Sequence, residues 1–468
     1  MNQISHALHS ALYPSLPIAA QNGACTVGGW WRALTRFNPH FHATLARLEC
    51  SAGSSLPELL AAQRERLDRL VRRAREHVPY YRDLPPPAEQ RDPEEALRRT
   101  LAAIPPLEKR TYRDQPRAFL ARDVPPHRLR RGRTSGTTGT ALPLWYTPET
   151  LGEEYATVWR LRRRSGVDVK SPHVSFTGQT IVPVHQGEPP FWRTNAWSGQ
   201  TLFSIYHMTP ENLRAYVAAV HEVPARYAQG YPSSIHLMAR ALLDAGRPLP
   251  RGHLGAVFTS SESLLAFQRE TIEKAFGAPV RDRYGVSEFD VSMVECEAAR
   301  LHVDMEFCIV EVEVEEETAE YERGALLITG LAGDATPRFR YRIGDVGTRS
   351  KAPCPCGRAG QVFLEVDGRV EDYVLTPDGR LVGRMDHVFK DQLEVAEAQI
   401  LQREARAIEV RIVPRASWSD ASEHGVVKEI RERLGDEIEI QIALVDEIPR
   451  EPNGKFRAVK SAVGRNAP

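Results

Sequence analysis

The stretch Arg133-Thr134-Ser135-Gly136-Thr137-Thr138-Gly139-Thr140 decides how this sequence is interpreted. Glycines and hydroxyl side chains alternate in it, so backbone N–H groups and hydroxyl donors can wrap a phosphate together. No Gly-Lys-Ser/Thr ending follows, which excludes a Walker A loop. Taken alone, such a Ser/Thr/Gly cluster is as well explained by a plain turn. The order of further segments downstream decides between the two interpretations.

The composition sets broad limits on fold and partners. The chain has 468 residues, enough for two or three domains. Its 61 basic and 61 acidic residues balance, which gives no support for nucleic acid or an anionic membrane as a partner. No apolar run of about 18 residues predicts a membrane span, and no signal peptide is recognisable. The six scattered cysteines are typical of a reducing cytoplasm.

The hydrophobic pattern predicts an α/β fold. Residues 1–50 form an N-terminal appendage, and residues 56–77 have helical spacing. Between residues 128 and 350, strand-like and helix-like segments alternate, which indicates a layered α/β core. Predicted strands cover residues 173–177 and 256–259, and predicted helices cover 210–223, 233–245 and 264–276. Consecutive strands at 308–315 and 325–329 indicate a β-rich subdomain.

The pattern changes near Asp367. A helix is predicted at residues 395–403, a strand at 408–413, a second helix at 426–434 and a strand at 438–445. This succession predicts a small α+β C-terminal domain. We therefore divide the chain into an ATP- and acid-binding domain at 1–367, whose first 125 residues are the appendage and helices, and a mobile domain at 368–468.

Two segments downstream of the loop suit a nucleotide. In residues 283–288 (Arg-Tyr-Gly-Val-Ser-Glu), Tyr284 beside Gly285 can stack on a base, and Glu288, just after Ser287, can hold Mg²⁺ through oxygen. In residues 340–345 (Arg-Tyr-Arg-Ile-Gly-Asp), the carboxylate of Asp345 after a glycine turn can accept both ribose hydroxyls. Each segment is also compatible with a structural turn.

Two more segments lie nearer the C-terminus. Residues 367–372 (Asp-Gly-Arg-Val-Glu-Asp) stand at the domain boundary and also fit a charged linker. Residues 448–457 contain Asn453-Gly454, a tight turn that projects Lys455. A lysine is a compact charge suited to a developing phosphorane, although most exposed lysines in turns have no such role.

In this order the five segments resemble the adenylate-forming superfamily of acyl-CoA synthetases and adenylation domains, over most of the chain. Residues 78–81 (Val-Pro-Tyr-Tyr), 341–345 and 354–358 (Cys-Pro-Cys-Gly-Arg) are similar to the phenylacetate–CoA ligase branch. Residues 376–380 (Thr-Pro-Asp-Gly-Arg) and 453–457 resemble the CapK-type proteins more closely.

The resemblance implies a role for each matched residue. Within the loop that begins at Thr134, the residues that would hold the β- and γ-phosphates of ATP are Ser135, Gly136, Thr137, Thr138 and Gly139. Tyr284 would line the adenine site, Glu288 would hold Mg²⁺, and Asp345 with Arg369 would bind the ribose. Lys455 would bridge the carboxylate and the α-phosphate. Glu371 would be the hinge of a swinging C-terminal domain.

Three departures from the family pattern bear on the reaction. Thr140 stands where the family usually has Lys, and Glu371 where Asp or Lys is usual. Residues 375–384 replace the glycine-rich stretch that in relatives approaches the thiol acceptor. The acceptor is therefore left open between coenzyme A and an amine.

A second group of residues suits a metal. Cys296 and His302, followed by Cys354 and Cys356, supply three thiolates and one imidazole, which suffice for a tetrahedral structural Zn²⁺. The Cys-x-Cys spacing is tighter than the usual Cys-x₂-Cys, so ordinary buried cysteines are the alternative.

The predicted function is ATP-dependent activation of a carboxylic acid, with release of pyrophosphate. Aromatic residues in 175–197, with residues 229–233 and 260–262, match stretches that build the acyl pocket in relatives, so an aromatic or small polar acid is expected. Core packing is the alternative for those aromatics. A non-catalytic nucleotide-binding scaffold and a phosphotransferase are the competing functions, and the sequence leaves a homodimer open.

Overall fold

A computed structural model describes residues 13–134, 142–183, 185–367, 374–382, 385–389, 394–449 and 458–463. The helices are α1 (Ile18–Arg36), α2 (Pro39–Cys50), α3 (Leu56–His77), α4 (Pro93–Ala102), α5 (Lys109–Asp114), α6 (Pro148–Arg164), α7 (Leu213–Glu222), α8 (Pro232–Asp244), α9 (Ala266–Phe276) and α10 (Asp420–Leu434). None of the helices in these ranges has both the length and the apolar character needed to cross a bilayer.

The larger of the two main sheets in the described residues is a mixed sheet of twelve strands. A hairpin, β1 (Arg130–Arg133) and β2 (Pro143–Tyr146), precedes it in the chain. The sheet contains β3 (His173–Thr177), β4 (Trp192–Asn195), β5 (Gln200–Ser204), β6 (Tyr227–Gly230), β7 (Ala256–Ser260), β8 (Val280–Gly285), β9 (Ser292–Glu295), β10 (Leu301–Val303), β11 (Cys308–Glu317), β12 (Tyr321–Gly330), β13 (Tyr341–Ser350) and β14 (Val362–Asp367). Their spatial order is β11-β12-β13-β14-β10-β9-β8-β7-β6-β3-β5-β4.

The sheet has a parallel half and an antiparallel half. Strands β5, β3, β6, β7 and β8 run parallel, as strands connected through crossovers do. One face of this half packs on α7, α8 and α9 through Phe176, Ile235, Leu242 and Phe276, and the other packs on α2 and α6 through Phe41, Trp159 and Phe258. From β8 onward the pairing is antiparallel. The predicted α/β class with a β-rich part is confirmed.

A smaller four-stranded sheet follows in the C-terminal part. It contains β17 (Val395–Glu404), β18 (Ala407–Pro414), β19 (Glu439–Leu444) and β20 (Val459–Ser461), in the order β19-β18-β17-β20, and a short hairpin of β15 (Val374–Leu375) and β16 (Leu381–Val382) precedes it. Helix α10 packs on this sheet through Val426, Ile430 and Leu434. The predicted small α+β C-terminal unit is therefore present.

One secondary-structure prediction in this unit was wrong. Residues 395–403 were expected to be a helix, but they form β17. The segment is rich in residues that favour helices, such as Ala398 and Gln399, yet β17 pairs with β18 on one side and β20 on the other. Tertiary pairing of a central, buried strand outweighs the small intrinsic helix preference.

Candidate functional site

The ends of the hydroxyl-rich loop are held together by the β1–β2 hairpin. The backbone N–H of Thr134 donates to the carbonyl of Leu142 at 3.1 Å, and the Leu142 N–H donates to Thr134 Oγ1 at 2.9 Å. Thr134 is buried. The remaining loop residues named above, Ser135 to Thr140, lie outside the described residues. The structure therefore describes only the two ends of this loop.

Tyr284 and Asp345 meet although 61 residues separate them in the sequence. The Tyr284 hydroxyl donates a hydrogen bond to Asp345 Oδ2 at 2.6 Å. Tyr284 is near the end of β8, and Asp345 lies in β13, within a bulge opposite β12. Gly344 has φ of 90°, a left-handed conformation that this irregularity requires and that glycine adopts readily. The residues expected to bind adenine and ribose are thus neighbours.

The backbone at Glu288 is fixed by a buried ion pair. Arg338 donates to both carboxylate oxygens of Asp290, at 2.5 and 3.0 Å, and to the carbonyl oxygen of Glu288 at 2.6 Å. It also donates to Thr336 Oγ1 at 3.0 Å, and the Thr336 hydroxyl donates to the carbonyl of Trp145 on β2. One guanidinium thus links the Glu288 segment to the strand that follows the hydroxyl-rich loop.

Asp290 lies near other acidic side chains and has one close positive partner, Arg338. Burial raises the pKa of Asp290 to about 6, and the charge of Arg338 opposes that shift while the charges of Glu288 and Glu154 add to it. Phe289, between Glu288 and Asp290, has φ of 61°, which is uncommon for an aromatic residue. The sequence predictions missed Asp290 and Arg338, since neither stands in a spacing that distinguishes a buried pair from surface charges.

Two other predicted residues at this turn differ in exposure. Ser287 is exposed, whereas Glu288 is buried. Gly285 ends β8, and a Cβ there would lie 2.8 Å from the guanidinium of Arg283. Arg283 in turn pairs with Glu154 of α6 at 2.7 Å. Gly285 thus lets the chain pass close to an ion pair that connects β8 with α6.

The four predicted metal ligands come together. Cys296 follows β9, His302 is on β10, and Cys354 and Cys356 are in the connection from β13 to β14. The candidate ligand atoms all lie within 4.8 Å of one another; Cys296 Sγ is 3.6 Å from Cys354 Sγ, and Cys356 Sγ is 3.3 Å from His302 Nε2. Burial lowers the pKa of His302, which favours the neutral ring that a metal needs.

The strand register places this cluster relative to Tyr284. Tyr284 pairs with Met293, and Cys296 follows three residues later, roughly 10 Å along the strand. The cluster thus joins three segments of the antiparallel half of the sheet.

The aromatic residues expected in the acyl pocket are mostly core. Phe176 and Phe191 are fully buried against α7 and α8, and Trp192 packs on the same cluster. Trp197 stacks on Phe37 of the appendage, with ring centroids 6.1 Å apart. His185 is exposed. The alternative of core packing therefore holds for Phe176, Phe191 and Trp192.

Polar side chains occupy the opposite face of the same strands. Ser175 Oγ accepts hydrogen bonds from Gln200 Nε2 at 2.8 Å and from Gln229 Nε2 at 2.9 Å. Arg162 donates to Gln229 Oε1 and lies over the ring of Trp159. The sequence pattern groups Gln229 with the acyl stretches but does not reveal this network.

The turn at residues 376–380 connects the two sheets. Arg380 donates to the carbonyl of Tyr206 at 2.5 Å, and to those of Arg433 and Leu434, at the end of α10, at 3.0 and 2.8 Å. Its Nε donates to Asp378 at 2.8 Å. The ring of Tyr206 belongs to the same apolar cluster as Leu434. Arg369, Glu371 and Lys455 lie outside the described residues.

Comparison with known proteins adds relatives of two kinds. Residues 374–462 match the CapK C-terminal domain. The chain is 25% identical over 458 residues to Protein CapK of Staphylococcus aureus, covering 95% of this chain and 98% of that protein. It is 23% identical over 455 residues to the phenylacetate-coenzyme A ligase of Thermus thermophilus, covering 86% of this chain and 96% of that protein.

A solved structure shares the fold. It is 2-hydroxyisobutyryl-CoA ligase in complex with 2-HIB-AMP and CoA in the thioesterification state, with a TM-score of 0.55 and 19% identity, covering 88% of this chain and 91% of that one. At this identity the likeness concerns the fold. The two relatives found by sequence, Protein CapK and the phenylacetate-coenzyme A ligase, are of the two kinds that the sequence motifs resemble.

Proposed function

We propose that this chain, which belongs to the adenylate-forming superfamily in its CapK-like and phenylacetate–CoA ligase-like branch, activates a carboxylic acid with ATP. The observation that carries the proposal is the contact between Tyr284 and Asp345. A ring suited to adenine and a carboxylate suited to ribose hydroxyls stand side by side, beside the Glu288 turn.

In the first half-reaction, a carboxylate oxygen of the acid attacks the α-phosphorus of ATP. The bond from that phosphorus to the bridging oxygen breaks, which releases pyrophosphate and leaves an acyl-adenylate. Asp345, assisted by Arg369, would hold the ribose, and Ser135, Gly136, Thr137, Thr138 and Gly139 would hold the phosphates. Lys455 would offset the charge that develops on the α-phosphate.

The donor set near Glu288 fits Mg²⁺. Carboxylate oxygen is the ligand type that this ion prefers, and the negative charges of Glu288, Asp290 and Glu154 act on one another there. Glu288 would hold the ion. When bound, Mg²⁺ supplies charge neutralisation on phosphate oxygens. Arg338 keeps the Glu288 backbone in place through its 2.6 Å hydrogen bond.

In the second half-reaction, a nucleophile attacks the acyl carbonyl and AMP leaves. Coenzyme A is the favoured acceptor, because the T. thermophilus relative is a phenylacetate-coenzyme A ligase. An amine is the second candidate, since residues 375–384 replace the family's glycine-rich stretch. Residues 368–468 would form the domain that reorients between the two steps, about a hinge at Glu371.

The Cys296, His302, Cys354 and Cys356 cluster would hold a structural Zn²⁺. Three sulfurs and one imidazole nitrogen within 4.8 Å of one another suit a tetrahedral ion, and four protein ligands leave no open position for catalysis. The ion would supply cross-links between the segments that follow β9, form β10 and connect β13 to β14.

ATP–pyrophosphate exchange against a panel of aryl acids, small hydroxy acids, amino acids and sugar acids tests the proposal. Exchange stimulated by one acid, followed by AMP release on adding coenzyme A or an amine, is the expected result. ADP as the product would identify a phosphotransferase. ATP binding without exchange for any acid would identify the nucleotide-binding scaffold.

A further inference from the structure

Helix α1 covers the edge of the large sheet with its polar side. Its Gln21, Asn22 and Thr26 side chains accept hydrogen bonds from Arg193 Nε at 2.5 Å, from the Thr194 N–H at 2.9 Å and from the Ala196 N–H at 3.1 Å. The last two donors belong to β4 and the residue that follows it, at the sheet edge. Unpaired edge groups invite association, so this arrangement protects the edge.

The same helix therefore turns its apolar side outward. The exposed apolar side chains in and just before α1 are Leu16, Ile18, Val27, Trp30, Trp31 and Leu34. Val27 and Trp31 each keep 63% of their surface exposed, and Leu34 keeps 54%. No charged residue occurs between residues 13 and 31. This orientation is the reverse of an ordinary surface helix, whose apolar stripe faces the core.

A patch of this kind marks an interaction site. Two tryptophans and four aliphatic side chains at these exposures present on the order of 600 Å², which reaches the upper range for patches on monomeric proteins. A standard interface buries about 800 Å² per partner, so the patch supplies most of what a stable dimer needs.

We propose that this face of α1 is the interface between two copies of the chain. A two-fold interface places the same surface on both sides, so it must be compatible with itself. A face without charges meets that condition, because no like charges are brought together. A membrane-surface helix would carry several Lys and Arg along its polar side. In α1 the charged residues are Arg32 and Arg36, both in its C-terminal part, and its polar side is occupied by β4.

The glycines of α1 define how closely two such helices can approach. A Cβ at Gly23 or Gly28 would meet nothing within 4 Å, so both positions open to free space and present only backbone there. If the two-fold axis passes near Val27 in an antiparallel crossing, Trp31 of one copy lies over Gly23 of the other, since both are four residues from Val27. Small residues at a crossing permit close helix packing in this way.

The test is the oligomeric state of the full chain, by sedimentation equilibrium and light scattering across the micromolar range. We expect a dimer that Val27→Glu and Trp31→Glu each weaken by about a hundredfold or more in Kd, since a charge would be buried without a partner. Val314→Glu is the matched control, because Val314 is 47% exposed on β11, and it should remain dimeric. Far-UV circular dichroism checks that each variant is folded.

A cross-linking experiment locates the axis. In a Cys25→Ser/Cys50→Ala background, Val27→Cys should form a covalent dimer on mild oxidation, because a residue on a two-fold axis meets its own copy. A monomeric wild type, an unchanged dimer in Val27→Glu, or a dimer without this cross-link would overturn the proposal. Two further results would also overturn the proposal. One is a dimer that forms only after residues 2–12 are deleted, and the other is binding of the chain to lipid vesicles that Trp31→Glu abolishes.

Discussion

The Tyr284 hydroxyl lies 2.6 Å from Asp345 Oδ2, so a residue of the parallel half of the sheet is bonded to one of the antiparallel half. Tyr284 is near the end of β8, and Asp345 lies in the irregular part of β13 opposite β12. Nucleotide recognition would need both groups held in a fixed relation before ATP arrives.

Substitutions at this pair separate ribose binding from base stacking. Asp345→Ala should lower kcat/KM for ATP by roughly 10- to 100-fold, because charged hydrogen bonds are worth about 1.5–3 kcal/mol. It should also remove discrimination between ATP and 2′-deoxy-ATP in pyrophosphate exchange. Tyr284→Phe keeps the ring and should have a smaller effect. An Asp345→Ala enzyme that still prefers ATP would contradict the ribose role.

Lys455→Ala should abolish adenylate formation while leaving ATP affinity close to that of the wild type. The lysine is expected to stabilise charge that develops only as the α-phosphate is attacked. Exchange kinetics and ATP titration by calorimetry measure the two properties separately. Lys428→Ala on α10 is the control, and substantial exchange in Lys455→Ala would refute the assigned role.

Metal analysis should find about one zinc per chain, because the four clustered ligands complete a tetrahedral shell. The Cys354→Ser/Cys356→Ser variant should lose the metal and unfold at a lower temperature. Cys50→Ser, a change at an exposed cysteine outside the cluster, should alter neither property. Fully folded wild-type protein without metal would reject the site.

Much of this architecture could be predicted from sequence, and some could not. Strands such as His173–Thr177 and Ala256–Ser260 are short and contain β-branched and aromatic residues, so the local sequence pattern was enough to predict them. The metal cluster was found because cysteine and histidine are few and chemically distinctive. The β17 strand was mistaken for a helix, since its conformation depends on two neighbouring strands.

The buried ion pair was missed for a different reason. Arg338 and Asp290 are charged residues in a chain with many of them, and burial is a tertiary property that local pattern does not report. The aromatic residues at 176 and 191 were matched to acyl-pocket stretches by position along the chain, with core packing as the alternative, and both lie in the core. Position along the chain does not report on which side of the sheet a side chain packs.

Loss of one partner in that ion pair should be costly. Arg338→Met should lower the free energy of unfolding by about 3–5 kcal/mol, because it leaves Asp290 buried without its counter-charge. Adding Asp290→Leu should restore part of the loss. Urea denaturation at neutral pH measures both. Arg69→Met, which breaks an exposed pair with Glu65, should cost less than about 1 kcal/mol.

His173 should make the protein sensitive to acid. Burial, with the charge of Arg162 adding to it, lowers the pKa of His173 to about 3. Between pH 3 and the ordinary value near 6.5, the unfolded chain binds a proton that the folded chain does not, so stability falls as pH falls through that window. The contribution is about 5 kcal/mol at most.

His173→Gln should reduce this pH dependence, measured by urea denaturation from neutral pH downward. The exposed His424→Gln is the control and should leave the slope unchanged. An identical slope in His173→Gln would show that other groups carry the acid sensitivity.

Arg380 has a consequence for any rearrangement of the two sheets. Two of its bonded carbonyls, those of Arg433 and Leu434, are in the C-terminal unit, and one, that of Tyr206, is in the large unit. The arginine therefore travels with α10, and a rotation costs one charge-assisted bond, about 1.5–3 kcal/mol, together with withdrawal of the Tyr206 ring. That cost favours the present orientation of the C-terminal unit relative to the large sheet. A single substitution of Arg380 should therefore shorten the time that the protein spends in this orientation.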